Sequence, residues 1–199
     1  MKNQWNERYD RSDYYYGKDP NSFLMEQKSI LLPGKKVLCL AEGEGRNAVA
    51  LAKIGCEVTA VDLSKVGLEK LERLAIENQV QVKTVCNDLN YFVFENDSWD
   101  FIISIWCHLP SSLRAKVHRG SVGALKSGGY FILEAYTPNQ LKFNTGGPKD
   151  SDMMPTSALL DEELTGLSFL LNREIEREVS EGIGHIGRSA VVQVLAKKT

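Results

Sequence analysis

The sequence predicts an α/β fold: a doubly wound, mostly parallel sheet that closes with an antiparallel hairpin. Three observations carry this. Short apolar, β-branched runs alternate with amphipathic runs of helical period over about a hundred residues, the pattern of strands joined by crossover helices. The first apolar run, residues 37–40, passes straight into a turn, Glu42-Gly43-Glu44-Gly45, after which Val49, Leu51, Ala52 and Ile54 recur at helical spacing. Beyond residue 136 the alternation stops, and two strand-like runs flank a glycine-rich loop.

Taken in order, residues 3–32 precede the first strand and concentrate Trp5, Tyr9, Tyr14, Tyr15, Tyr16 and Phe23 beside charged residues. Gly17 and Pro20 break this segment, and Ser22 caps a predicted helix over 23–32. The segment reads either as a packing arm laid on the sheet or as a lid whose rings close over a ligand. The second strand, 57–62, ends in Asp62. Ser64 then caps a long helix whose apolar face is Val66, Leu68, Leu71, Leu74, Ala75 and Ile76. A third strand spans 80–86 and ends at Asn87-Asp88-Leu89. The fourth, 99–105, is apolar enough to be central and buried. A helix over 113–125 stops at Lys126-Ser127-Gly128-Gly129, and a fifth strand covers 130–135. Residues 137–156 form a long polar connection of the kind that is usually functional or mobile. A helix near 158–170 and two strands, 172–180 and 189–196, joined across 181–188, complete the chain.

Composition narrows the function classes. The 199 residues predict one domain: an arm over 1–34, a cofactor-binding core over 35–136, and an acceptor loop with the hairpin over 137–199. A net charge of −2 argues against a nucleic-acid partner, which would call for a basic face. No apolar run approaches a membrane span, and the opening residues lack a signal-peptide core, so no membrane partner is expected. Cys39, Cys56, Cys86 and Cys107 form no CxxC pair and read as small thiols in or beside strands. That fits a reducing, cytoplasmic setting.

The turn admits two cofactors. Gly43-x-Gly45-x-x-Ala48 with Asp62 at the right distance fits the dinucleotide fingerprint, so an NAD-binding oxidoreductase is a contender. Charge argues against it. A pyrophosphate wants amides without anions nearby, and Glu42 and Glu44 flank Gly43. S-adenosylmethionine, carrying ammonium and sulfonium groups and no phosphate, suits two carboxylates better.

The stretch Val37-Leu38-Cys39-Leu40-Ala41-Glu42-Gly43-Glu44-Gly45-Arg46-Asn47-Ala48 resembles the first motif of the class I S-adenosylmethionine-dependent methyltransferases. Val58-Thr59-Ala60-Val61-Asp62-Leu63-Ser64 and Asp88-Leu89 resemble later ones. Trp5-x-x-Arg8-Tyr9 and Tyr14-x-Tyr16-Gly17-x-x-Pro20-Asn21-x-Phe23-Leu24 resemble the entry segment of the small tellurite-resistance-type methyltransferases. The resemblance implies a Rossmann-like sheet of seven strands, S-adenosyl-L-methionine as cofactor, and in-line methyl transfer. The acceptor it implies is a small molecule such as a chalcogen oxyanion or a thiol. It places Gly43 and Gly45 under the methionyl portion, Asp62 on the ribose hydroxyls and Leu63 on the adenine face. Asp88 and the Leu89 amide would meet the adenine edge, with Ile105 and Trp106 at the ammonium. Tyr16, Asn21, Glu42, Glu44, Asn47, Ser64 and Asn87 complete the expected cofactor-binding set. Cys39 and Ala41 depart from the pattern, standing where an acid and a glycine are usual; Glu42 and Glu44 are the candidates to supply the missing charge.

A positioned donor needs a base only if the acceptor arrives protonated. His108, at the end of the fourth strand, and His185, in the hairpin loop, are the candidates, with Arg188 beside the latter to hold an anion. Cys107 reads as pocket lining and His118 as solvated surface. No ligand set for a metal is recognisable. The protein is expected to act as a monomer or weak homodimer. A non-catalytic S-adenosylmethionine sensor is the alternative from a different class.

Overall fold

The computed structural model describes residues 2–199. Two short helices, α1 (Lys2–Tyr9) and α2 (Ser22–Glu26), precede the sheet. Then follow β1 (Lys36–Leu40), α3 (Arg46–Ile54), β2 (Glu57–Asp62), α4 (Lys65–Glu77), β3 (Lys83–Cys86), β4 (Trp99–Ile105), α5 (Ser111–Ala124) and β5 (Leu125–Tyr136). Two 3₁₀ turns, at residues 138–142 and 151–153, lead to α6 (Ser157–Glu163), β6 (Leu167–Glu181) and β7 (His185–Lys198). The seven strands form one sheet in the order β3-β2-β1-β4-β5-β7-β6. Only β7 runs against its neighbours. This is the Rossmann-like arrangement with a terminal antiparallel pair.

Alternation along β1 shows how the layers form. Leu38 and Leu40 face a core shared with Val117 and Ala124 of α5 and Leu160 of α6. Val37 and Cys39 face the opposite core, with Ala48 and Leu51 of α3, Leu68 and Leu71 of α4, and Phe23, Leu24 and Leu31 of the entry segment. Because β4 lies beside β1 while β2 lies on its other side, the chain reverses its winding there. The carboxyl ends of β1 and β4 therefore form the switch-point crevice of the topology, where open α/β sheets take their ligands.

Several local expectations are revised. The helix predicted over 23–32 ends at Glu26, and Asn21 rather than Ser22 caps it, its Oδ1 accepting the Leu24 amide at 2.9 Å. The run 80–86 yields only the four residues of β3. The helix predicted to reach residue 170 stops at Glu163, because Leu167 to Phe169 pair with Ala196 to Lys198 and extend the sheet. The hairpin is longer than its glycines suggest. Glu181 pairs with His185, so the loop is only 182–184 and His185 and Arg188 stand on β7 itself. His118 is buried, not solvated: its Nδ1 meets Glu163 at 2.7 Å, and the same carboxylate takes a bidentate contact from buried Arg114. Cys39, Cys56 and Cys107 are buried free thiols, whereas Cys86 is exposed. Among the described residues no helix is long and apolar enough to cross a membrane.

Candidate functional site

The first half of the site is the turn after β1. Gly43 and Gly45 both hold positive φ, +62° and +90°, and Gly45 is the N-cap of α3. The glycines have a second reason beyond backbone freedom. A Cβ on Gly43 would come within 2.6 Å of the Tyr9 hydroxyl, and one on Gly45 within 2.2 Å of Leu71. Packing of the protein's own side chains, as well as any ligand, therefore excludes larger residues here. Ala41 has φ +49°, so the position that resembles a family glycine does require the left-handed region, and alanine occupies it at a cost. Trp106, at the end of β4, has φ +56°. Two strained non-glycine residues, at about 1–3 kcal/mol each, thus flank the crevice from adjacent strands.

The carboxylates around the turn hold backbone. Asp62, buried at the end of β2, accepts the Gly43 amide through Oδ2 and the Ser64 amide through Oδ1, each at 2.7 Å. Burial raises its pKa while those amides pull it back. Two of its roughly four acceptor positions are used, so the carboxylate retains capacity for a diol. Glu42 folds back onto the start of α3, its Oε1 accepting the Ala48 amide at 2.7 Å, beside the Cys39 thiol. Burial raises its pKa to about 7 despite the helix amides and Arg46. It caps a helix whose N-cap glycine has no side chain to offer. Glu44 pairs with Lys70 Nζ at 2.5 Å and accepts the Tyr16 amide at 3.3 Å. Lys70 is buried too and donates to the carbonyls of Tyr9, Arg11 and Asp13. The argument that Glu42 and Glu44 present two free negative charges to the ligand is thereby corrected: one caps a helix and the other holds a lysine and the entry segment.

Farther along the crevice, Ser64 caps α4, accepting the Gly67 amide and donating to Asn6 Oδ1. Asn87 continues the backbone ladder to Asp62 O, Leu89 is buried, and the part-exposed Asp88 accepts the Asn90 amide at 2.8 Å. Ile105 is buried at the end of β4.

The second half is assembled from distant segments. Asn21, fully buried, donates from Nδ2 to Glu134 at 2.6 Å and to Glu181 at 2.8 Å, and its own amide goes to Asn47 Oδ1. Every polar group of its side chain is thus committed to the fold. Glu134 also takes Arg177 Nε and Nη2 and Gln193 Nε2. Glu181 pairs with Arg46 and accepts the Trp106 indole N–H at 2.5 Å. Against this network lies an aromatic cluster. The His185 ring sits 4.6 Å from Tyr16, 4.7 Å from Trp106 and 5.3 Å from Tyr136, centroid to centroid. Tyr16 in turn accepts Arg8 Nη1 at 2.9 Å.

The three catalytic candidates part company here. His185 is buried in the cluster, and burial together with Arg46, Arg8 and Arg177 holds its imidazole neutral. His108 is a clamp: Nε2 accepts the Tyr136 amide at 3.0 Å, a second contact goes to the Trp106 backbone, and burial lowers its pKa to about 4. With Nε2 taken up by that amide, His108 is better placed to hold β5 against β4 than to act as a base. Arg188 lies on the outer face of the hairpin, two-thirds exposed, paired with Glu176 and stacked on Phe143. The structure does not bring it to the cluster. Burial pushes the Cys107 thiol up to about 12, so it stays protonated. Sequence reasoning missed Tyr9, Lys70, Glu134, Tyr136, Arg177 and Glu181. The one visible signal was Glu134, an acid inside an otherwise apolar strand.

Comparison with known proteins agrees with this geometry. Residues 37–129 match the model of a methyltransferase domain. The chain is 31% identical over 126 residues to phosphoethanolamine N-methyltransferase 2 of Caenorhabditis elegans, covering 60% of this chain and 28% of that protein. It is 27% identical over 115 residues to the ubiquinone biosynthesis O-methyltransferase of Coxiella burnetii, covering 57% and 48%. The chain thus spans less than half the length of these relatives. TehB from Haemophilus influenzae superposes with a TM-score of 0.74 at 20% identity over all of this chain and 67% of that one. A structure described as "Conversion of a Disulfide Bond into a Thioacetal Group during Echinomycin Biosynthesis" superposes at 0.77 with 14% identity, over all of this chain and 92% of that one. Residues 37–129 are thus similar to a methyltransferase domain, carried on a sheet with the strand order of the solved methyltransferase structures.

Proposed function

We propose that the chain binds S-adenosylmethionine in the crevice between β1 and β4 and methylates a small-molecule acceptor. One observation carries the reading: a buried, half-used Asp62 carboxylate at the carboxyl end of β2 holds the glycine turn that follows β1, next to the β1–β4 switch point. Asp62 would take the ribose, Asp88 and Leu89 the adenine, and the turn 43–45 with Ile105 and Trp106 the amino-acid end. The cofactor supplies a methyl group on positively charged sulfur. The protein's own contribution is alignment and exclusion of water, a contribution that reaches ~7–11 kcal/mol in well-oriented systems.

The acceptor we favour is a thiol or a chalcogen oxyanion. The resemblance of residues 5–24 to the entry segment of the small tellurite-resistance-type methyltransferases supports this, as do aromatic walls suited to a polarisable atom. Buried free thiols in the core fit a cytoplasmic setting. The test is formation of S-adenosylhomocysteine from labelled donor across tellurite, selenite and small thiols. Donor binding with no turnover on any of these would make the chain a sensor. Binding of NADH without S-adenosylmethionine would overturn the cofactor assignment. In calorimetry Asp62→Ala is expected to weaken donor binding by at least about a hundredfold, since two hydrogen bonds to a charged group at ~1.5–3 kcal/mol each are lost.

A further inference from the structure

Among the buried polar atoms of the aromatic cluster, two lack partners, and they belong to rings that meet edge to face. Tyr136, the last residue of β5, is fully buried, and its hydroxyl has no hydrogen-bond partner among the described residues. The same is true of His185 Nδ1, on the ring that meets Tyr136 edge to face. The rest of Tyr136 is firmly held. Trp106 lies 4.5 Å from it, His108 stacks on it with 15° between the planes, and His108 also takes its amide. Gly147 passes so close that a Cβ there would come within 2.6 Å of Tyr136 Cδ2. Ser189 is a nearby hydroxyl, but its Oγ donates to Gly187 O at 3.1 Å and leans on Thr145 at 3.4 Å. Packing alone would be served equally well by phenylalanine, whereas an unpaired buried hydroxyl costs about 1–3 kcal/mol. Burial raises the phenol's pKa against an opposing pull from the neighbouring Ser189 hydroxyl, so the phenol stays protonated and can donate.

We propose that the Tyr136 hydroxyl donates a hydrogen bond to the reacting atom of the methyl acceptor, and so selects the acceptor's chemistry; this rests on the methyltransferase reading above. Tyr136 ends the strand next to β4, one position along the same sheet edge from Trp106. An atom held by this hydroxyl spends one lone pair on the hydrogen bond and must attack with another. Thiol sulfur, selenol selenium and the oxygens of an oxyanion such as selenite have two or more lone pairs, whereas the central selenium of selenite has one and is excluded as the reacting atom. An amine nitrogen has one, which the hydrogen bond would occupy. The second lone pair forms the bond to the methyl carbon, and the electrons of the broken carbon–sulfonium bond stay on the donor sulfur. A thiol acceptor reacts as its thiolate, so no proton has to be taken up in the cluster, where burial and Arg46 keep His185 neutral. The site therefore takes chalcogen acceptors and rejects amines.

The experiment compares wild type and Tyr136→Phe with 2-mercaptoethanol, selenite and ethanolamine as probes, reading S-adenosylhomocysteine formation, donor affinity by calorimetry and thermal midpoint. The expected result is turnover of the thiol or selenite and none of ethanolamine. In the variant kcat/KM for the thiol or selenite falls 10- to 100-fold, donor Kd stays within twofold, and the thermal midpoint is unchanged or raised. Three results overturn the proposal alone: kcat/KM within twofold of wild type, ethanolamine as the better acceptor, or a lower thermal midpoint, which would show the hydroxyl to be structurally paired. Donor binding without turnover of any probe overturns the methyltransferase reading and this proposal with it.

Discussion

The two halves of the crevice are built on different principles. On the turn side, Glu42 and Asp62 hold backbone amides lying two to nineteen residues away. On the hairpin side, Glu134 and Glu181 hold side chains that come from much farther along the chain: Asn21 reaches Glu181 across 160 residues and Arg46 across 135. The first half is local geometry that one strand–turn–helix unit fixes by itself. The second exists only when the entry segment, β4, β5, β6 and β7 are all in place. A carboxylate that holds amides keeps lone pairs for a ligand, whereas one that neutralises guanidinium groups does not. The division of labour follows: the turn side keeps acceptor positions free, and the hairpin side is a rigid wall on which the Tyr136 and His185 atoms, unpaired among the described residues, stand out.

The largest effect should come from that wall. Glu134→Leu removes the acceptor of Arg177, Gln193 and Asn21 in one step and leaves a guanidinium and two amides short of partners. Breaking a buried ion pair by deleting one partner costs about 3–5 kcal/mol, read as a drop in stability by chemical denaturation. A cost below about 1 kcal/mol would show that the five segments do not depend on one another, and the contrast with the turn would fail.

A smaller effect distinguishes the turn. The folded state raises the Glu42 pKa from an ordinary 4.5 to about 7. Between those values the native state binds the extra proton, so this group makes stability fall as pH rises from about 4.5 to 7, then level off. Asp62, also raised, adds a contribution of the same sign. Glu42→Gln keeps an acceptor for the Ala48 amide and removes the titration. The wild type should therefore lose about 1–3 kcal/mol more than the variant between pH 5 and pH 8, at 1.36 kcal/mol per pKa unit. Parallel curves for the two proteins would mean that Glu42 is charged throughout.

The same contrast explains what was legible beforehand. The turn, the strand-ending acids and the helix cap at Ser64 could be read because their causes lie within a few residues: glycine backbone freedom, strand period and capping chemistry. The sheet and its terminal hairpin followed from alternation. The wall could not be read, since nothing near Asn21, Arg46 or Glu181 announces a partner more than a hundred residues away. The same blindness made the hairpin loop too long. Its glycines suggested a break at 181–188, but cross-strand pairing continues through Val179↔Gly187 and Glu181↔His185. That pairing carried Arg188 onto an outer face. Likewise His118, read as surface beside Arg119, is buried against Glu163 of a helix that sequence spacing could not dock.

The smallest expected effect is the sharpest check on where the wall ends. Arg188 makes one ion pair, with Glu176, and both side chains are largely exposed at 65% and 46%. Pairs of this kind are worth about 0–1 kcal/mol and weaken with salt. Arg188→Ala should therefore change stability by less than about 0.5 kcal/mol and leave acceptor kcat/KM within twofold. The inner residue of the same strand, His185, has no such surface to fall back on: removing its ring opens the packing of Tyr16, Trp106 and Tyr136 together. If Arg188→Ala instead abolished turnover while donor affinity held, the acceptor would have to approach over the outer face of the hairpin. The aromatic cluster would then be packing behind the site instead of its wall.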